Sequence, residues 1–189
     1  MGGEGADPDD LAIVAQVRGG DRERFAVLVA RYERMVFALA MRMTGSRDEA
    51  QDVMQSSFLA AYRQLGDFRG DASFKTWLYG IALNECRMLY RKAGRTTPLD
   101  AIAEPAAPVP GGHVLDRITL GRLVGRLPEK QRAAVLLRVC DDLSFREIGE
   151  IVGSSEASAK VNFSHAVKKL RAWLVPGAAA AATDEDEEA

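Results

Sequence analysis

LPEKQRAAVLLRVCDDLSFREIGEIVGSSEASAKVNFSHAVKKLR, residues Leu127–Arg171, decides the fold. Its apolar residues recur at helical spacing and its interruptions fall at turn-forming residues, the pattern of short helices joined by tight turns. Pro128 suits the first turn of a helix. Ser144-Phe145-Arg146-Glu147 is a capping box: the serine oxygen takes an orphan backbone N–H and the glutamate reaches back, opening a short helix that stops at Gly153. Ser154-Ser155 makes the turn, and Ser155 caps a longer helix from Glu156 to Leu174. A short helix, a Gly-containing turn and a longer helix form a helix-turn-helix, whose second helix can enter a DNA major groove; the same hairpin also occurs as a plain structural element.

Helical projection adds chemistry to this outline. Ala159, Phe163, Ala166, Leu170 and Leu174 share one stripe, which must pack inward. The opposite side presents Ser158, Val161, His165 and Lys168, flanked by Asn162 and Ser164. Short hydrogen-bonding groups, one valine and a cation suit base edges, while Lys160, Lys169 and Arg171 lie where phosphates would run. Val161 is either an incidental surface valine or a contact to a thymine methyl.

Upstream, Asp21 to Lys92 is helical in period, with Gly and Pro confined to the joints. One long helix is expected over Asp21–Thr44, ending near Gly45. Ser46-Arg47-Asp48-Glu49 is a second capping box and opens a helix over Arg47–Leu65. That helix places Ala50, Met54, Ser57, Phe58, Ala61 and Leu65 on one side and Asp52, Gln55, Ser56, Leu59 and Arg63 on the other. Leu59 on a polar face is a scattered surface leucine or the centre of a docking patch. Ser73 is the expected N-cap of a third helix, Phe74–Lys92, apolar round much of its circumference, with Tyr79 and Tyr90 opposite the main stripe. Its basic end, Arg87, Arg91, Lys92 and Arg95, complements the helix dipole or meets phosphates.

Five spans follow: an acidic disordered N-terminus (1–9), a helical module (10–92), a Pro-, Ala- and Gly-rich linker (93–112), a second helical module (113–175) and an acidic disordered tail (176–189). The expected class is all-α, two small helical domains joined by a flexible linker. The net charge is -2, yet nine acids, Glu4, Asp7, Asp9, Asp10 and Asp184 to Glu188, sit at the two ends, and the remainder is net basic. The tail folds back on the basic recognition helix or merely aids solubility. No apolar run approaches the roughly 20 residues of a membrane-spanning helix, and the N-terminus is acidic where a signal peptide is basic, so a cytoplasmic protein is expected. Cys86 and Cys140 read as buried apolar thiols. His113 falls in or beside the linker and His165 on the outward face of the long helix, so no metal-ligand cluster forms and a metal hydrolase is disfavoured.

Both modules, in this order and spacing, resemble extracytoplasmic-function sigma factors of RNA polymerase. The likeness runs from about Asp10 to Leu174. DRERFAVLVARYERMVFALAMRMTGSRDEAQDVMQSSFLAAYRQLGDFRGDASFKTWLYGIALNECRMLYRK resembles sigma region two: Asp52–Leu65 is similar to the polymerase-clamp helix and SFKTWLYGIALN to the promoter-melting segment. The Leu127–Arg171 stretch resembles region four.

The resemblance implies a promoter-specific initiation factor with no catalysis of its own and no cofactor. Its first module would dock on polymerase core through Asp52, Gln55, Ser56, Leu59 and Arg63. The same module would open the minus-ten element with Asp71, Ala72, Ser73, Phe74, Trp77, Asn84, Arg87 and Arg91. Its second module would read the duplex minus-thirty-five element with Ser155, Ser158, Lys160, Val161, Asn162, His165 and Lys168. The implied partners are polymerase core and promoter DNA, duplex and melted, with an anti-sigma protein left open. Where the family commonly reads Thr-Val-Lys-Ser-Arg-Leu and then Arg-Ala-Arg, this chain has Ser158-Ala159-Lys160-Val161-Asn162-Phe163 and His165-Ala166-Val167, departures that bear on the preferred duplex. The competing reading is a stand-alone helix-turn-helix regulator, which would have no use for a clamp-docking face.

Overall fold

A computed structural model describes residues 7–94 and 117–174. Within them the chain is helical, with no strand. The expected linker falls almost wholly outside the described residues, as do the tail and His113.

The first module opens with α1 (Pro8–Arg18), whose first two residues fall in the span expected to be disordered. Asp7 caps it through its carboxylate, which accepts from the Asp9 N–H at 2.9 Å, and Pro8 sits in the first turn. Gly20, at φ 110°, then turns the chain, and the helix expected from Asp21 begins as a 3-10 turn before becoming α-helical at Phe25. Arg22–Arg24 forms one 3-10 turn and α2 runs Phe25–Thr44, ended by a left-handed Gly45. Ser46 caps α3 (Arg47–Gln64), accepting from the Glu49 N–H at 3.4 Å. A 3-10 turn, Leu65–Asp67, leads to α4 (Phe74–Lys92), capped by Ser73.

Two ties hold α1 in place. Asp10, 1% exposed, accepts from Arg31 and from the Tyr32 hydroxyl on α2. Arg18 donates to the carbonyls of Leu65 at 2.6 Å, Gly66 at 3.1 Å and Phe68, satisfying acceptors that the end of α3 leaves open. The core beneath is Leu28, Leu39, Met43, Phe74, Leu78 and Leu83, all essentially fully buried. Each contributes about 1.5–3 kcal/mol of burial.

The second module comprises α5 (Arg117–Gly125), α6 (Glu129–Val139), α7 (Phe145–Val152) and α8 (Glu156–Leu174). Pro128 is the N-cap of α6 rather than its first helical residue. The Ser144 box closes in both directions: the Glu147 N–H donates to Ser144 Oγ at 3.3 Å, and the Ser144 N–H to Glu147 Oε2 at 2.8 Å.

The modules pack against each other, α7 on α4 and α6 on α2. A Cβ added at Gly80 would stand 3.7 Å from the Ile151 carbonyl oxygen, which is how closely the two backbones approach. Arg42 pairs with Asp141 at 2.9 Å and Arg87 with Glu129. Arg132 crosses the seam to donate to the Met43 carbonyl at 3.1 Å, which the Tyr90 hydroxyl also reaches. This contact covers the far side of α4, as a helix apolar round much of its circumference requires. Tyr79 and Tyr90, opposite the main stripe, are buried because the second module covers them. Burial, joined at Tyr79 by the nearby Asp141 carboxylate, pushes both phenols above their ordinary range. Cys86 is buried as expected, but Cys140, the C-cap of α6, is exposed because the helix ends there.

Candidate nucleic-acid interface

Three surfaces gather the residues singled out by sequence, and each is set by local geometry. The helix-turn-helix comes first. Gly153 ends α7 in the left-handed conformation, φ 67°. The turn then doubles back so tightly that a Cβ at Gly149 would lie 2.9 Å from the Ser154 carbonyl oxygen. Ser155 Oγ accepts from the Ser158 N–H at 3.1 Å and shares a hydroxyl contact with Ser158 at 2.9 Å. Inward, Ala159, Ala166 and Leu170 are buried and Phe163 meets Phe145 edge-on at 5.5 Å. Outward, Ser155, Ser158, Lys160, Val161, His165 and Lys168 are exposed, Val161 at 52%. Asn162 is half-buried; its Nδ2 donates to the Ser158 carbonyl at 2.9 Å, which leaves Oδ1 and the second Nδ2 hydrogen for other partners. The outward set lies on one side of α8, whose one acid is Glu156 in the first turn.

The second surface is the side of α4 with its preceding loop. Trp77 and Ala72 are half-buried, Asp71, Asn84 and Arg91 exposed, Arg87 half-buried. The Arg87 Nη1 donates to Asn84 Oδ1 at 2.8 Å. Ser73 is spent on its cap, accepting from the Thr76 N–H at 3.0 Å. Phe74 requires correction: it is fully buried, its ring 5.5 Å from those of Tyr32, Phe68 and Trp77, so it supports Trp77 and has no surface to offer DNA. Trp77, Asn84 and Arg87 line one wall of a cleft of about 380 Å³, and the opposite wall is Glu150, Ile151 and Gly153 of the second module.

The third surface lies between α2 and α3. Phe25, Val29, Met54, Phe58, Leu59 and Tyr62 form an apolar groove with Glu33 and Gln55 at its edges. Leu59 is 58% exposed; Asp52, Gln55 and Arg63 are exposed around it and Ser56 is half-buried. Reading the sequence one helix at a time missed Phe25, Val29 and Tyr62, because α2 supplies the opposite wall. It also missed Glu129, Asp141 and Glu150, whose partners or walls lie on another module. Gly80 carried a legible signal, since a glycine inside a helix marks a close approach.

Residues 28–96 match the family model for Sigma-70 region 2, and residues 117–170 that for Sigma-70 region 4. The chain is 38% identical to the ECF RNA polymerase sigma-E factor of Haemophilus influenzae, over 76% of this chain and 83% of that protein. It belongs to the extracytoplasmic-function sigma factors. Members of this family direct promoter-specific transcription initiation by RNA polymerase, binding its core and promoter DNA, and are regulatory factors rather than known enzymes. Solved structures agree in fold. CnrH in complex with the cytosolic domain of CnrY superposes with a TM-score of 0.64 at 29% identity, covering 86% of this chain and 95% of that one. The sigma factor RpoE, bound to the anti-sigma factor NepR from Bartonella quintana, gives 0.63 at 24%, covering 79% and 96%. Among the described residues no helix is long and apolar enough to cross a membrane.

Proposed function

We propose that this sigma factor divides its work among the three surfaces. The groove between α2 and α3, centred on Leu59 and flanked by Asp52, Gln55, Ser56 and Arg63, docks on polymerase core. The α4 side captures the opened minus-ten strand: Trp77 offers an aromatic face for stacking, Asn84 an amide for a base edge, and Arg87 and Arg91 cations for phosphates. A base leaving the stack costs a few kcal/mol, which a pocket and aromatic stacking offset without fuel. Asp71, Ala72 and Ser73 shape the mouth of that pocket. The outward face of α8, from Ser155 to Lys168, reads the minus-thirty-five duplex. The chain uses no cofactor, catalyses no reaction and works in the cytoplasm. An anti-sigma protein is a fitting further partner, as for the RpoE relative.

The observation that carries this reading is the pairing, in one chain, of an outward polar face on α8 with a stacking-competent tryptophan, amide and arginine on one side of α4. Run-off transcription with polymerase core on a genomic fragment library tests it. Discrete start sites sharing two upstream elements are expected, whereas duplex binding without transcription identifies a stand-alone regulator. Asn84→Ala should then lower permanganate reactivity of thymines near the start site more than it lowers closed-complex formation. Normal opening in that variant removes Asn84 from the capture pocket.

A further inference from the structure

The loop between α3 and α4, residues 65–73, leads into the strand-capture pocket, and α1 holds it at two points. At its start Arg18, in the last turn of α1, donates Nε to the Leu65 carbonyl at 3.0 Å and Nη2 to the carbonyls of Leu65 at 2.6 Å, Gly66 at 3.1 Å and Phe68. In its middle Gly70 turns the chain at φ 80°, and a Cβ added there would stand 3.2 Å from Leu11 Cδ2. At its end Ser73 caps α4, and Ala72 joins Trp77 and Asn84 along the cleft. The loop's own backbone adds the Phe68 N–H to the Leu65 carbonyl at 3.3 Å, a long bond.

Two routes lead from α1 to Trp77. Phe68, whose carbonyl Arg18 holds, places its ring 5.1 Å from that of Trp77. On the other route Asp10 accepts from the Tyr32 hydroxyl, the Tyr32 ring stands 5.5 Å from Phe74, and Phe74 stands 5.5 Å from Trp77. Asp10, Phe68 and Phe74 are buried, so a shift of α1 is passed on through close packing. Arg18 itself is exposed and bonds only loop backbone. Its plainest role is a cation at the C-terminal end of α3, where the helix dipole favours one. A lysine would serve that role as well, whereas four bonds to three carbonyls of a turning loop need the planar guanidinium fork.

We propose that α1 is a positioning element for the minus-ten pocket: Arg18 and Leu11 fix the path of the 65–73 loop and, through Phe68, the pose of Trp77, and so help to set which base the pocket accepts. Arg18 is a positioning residue, acting on the loop and not on the strand. The inference rests on the capture role given to α4 above. A site that discriminates among bases must hold its walls to within about 0.5 Å, and a loop with so little bonding of its own takes that order from α1. Stacking on Trp77 tolerates every base, while recognition of a base edge does not. Loosening the grip of α1 should therefore blur base preference before it abolishes binding.

The test is a selection of short single strands of random sequence by polymerase core carrying the full chain, read as the pattern of enriched bases. The unmodified chain should enrich a defined base at one position or more. Arg18→Met and Arg18→Lys should both flatten that enrichment, about five- to twentyfold, as expected for losing hydrogen bonds to a charged group. Gly70→Ala, which strains a left-handed residue and crowds Leu11, should flatten the same positions. Arg24→Met loosens α1 elsewhere, since Arg24 Nε donates to Gln16 Oε1 at 2.7 Å, and should leave the pattern unchanged. In the free full chain carrying Trp173→Phe, which leaves Trp77 as the one tryptophan, Arg18→Met should raise acrylamide quenching of its fluorescence. A role in stability alone would lower the melting temperature and leave that signal unmoved in the folded chain. Full rescue by Arg18→Lys, with Arg18→Met changing only the salt dependence, would make Arg18 a phosphate contact and overturn the proposal. So would an unaltered pattern in both variants, or a pattern lost equally in Arg24→Met. Trp77→Ala isolates the underlying reading: enrichment lost there but kept in the Arg18 variants condemns the positioning role alone. An unmodified chain that enriches nothing condemns the capture role and this inference with it.

Discussion

Val161 shows how much a single exposed side chain can carry. It lies opposite the buried Ala159, Ala166 and Leu170, so its methyl groups point away from the packed stripe of α8. Beside it the Asn162 amide keeps its oxygen and one N–H, the other N–H being given to the helix backbone. An apolar group next to an acceptor fits an A/T position, the methyl being read by the valine. Val161→Ser is expected to relax discrimination there by about 1–3 kcal/mol per base pair, whereas Lys160→Ala should weaken all sequences alike and flatten the salt dependence. Selection of randomised duplexes checks both; unchanged base preferences in Val161→Ser return the residue to ordinary surface. The cysteines give a second residue-scale test. Burial pushes the Cys86 thiol up to about 12, while Cys140 is exposed. A disulfide reagent at pH 8 should titrate one thiol in the native chain and both in denaturant, and Cys140→Ser should abolish the native reaction. The sequence placed both cysteines inside apolar runs but could not show that α6 ends at Cys140. Phe74 failed for the opposite reason, since adjacency to Ser73 and Trp77 says nothing of a ring enclosed by three others.

At the scale of elements, the capping residues were the most legible features. Ser144, Ser155 and Ser73 all bond the N–H three residues on, because the donors they satisfy are local and the sequence spacing is the geometry. The same logic, applied to Asp7-Pro8, would have found α1. What depends on two helices at once was not legible: the groove needs Phe25 and Tyr62, whose rings meet edge-on at 5.1 Å across α2 and α3. Leu59→Asp should abolish retention of this chain on immobilised polymerase core while leaving its helical circular dichroism intact, since the side chain is largely exposed. Undiminished retention would move the docking site elsewhere. Gly149→Ala is expected to destabilise the helix-turn-helix by about 1–3 kcal/mol, because the added methyl meets the backbone of Ser154 and Ser155 rather than a movable side chain. A lower urea midpoint, with loss of duplex binding at elevated temperature, is the expected readout.

For the molecule as a whole, two helical modules could be read from the chain, but their contact could not. Arg87 and Glu129 are 42 residues apart and Arg42 and Asp141 are 99, and no periodicity reaches that far. Tyr79 and Tyr90 hinted at it, being large apolar surfaces on a side of α4 that the first module alone leaves bare. Charge is the other property of the whole. Removing Asp184 to Glu188 turns the net charge from negative to positive, so the truncated chain should associate faster with any duplex at low salt. Stopped-flow association rates that differ at low ionic strength and converge at high would bear this out; equal rates throughout would mean that the run exerts no field on the DNA-facing surface.

The bare outward face of α8 has a consequence for descent. Residues that neither pack nor brace their neighbours can change without endangering the fold, so Ser158, Val161, His165 and Lys168 are free to drift under selection for new operators. The groups that pair the module with its neighbour, Glu129 and Asp141, sit on or just beyond another helix. A lineage of duplicated copies could thus diverge in the genes they address while inheriting the same seam between modules, one alphabet rewritten while the binding stays fixed.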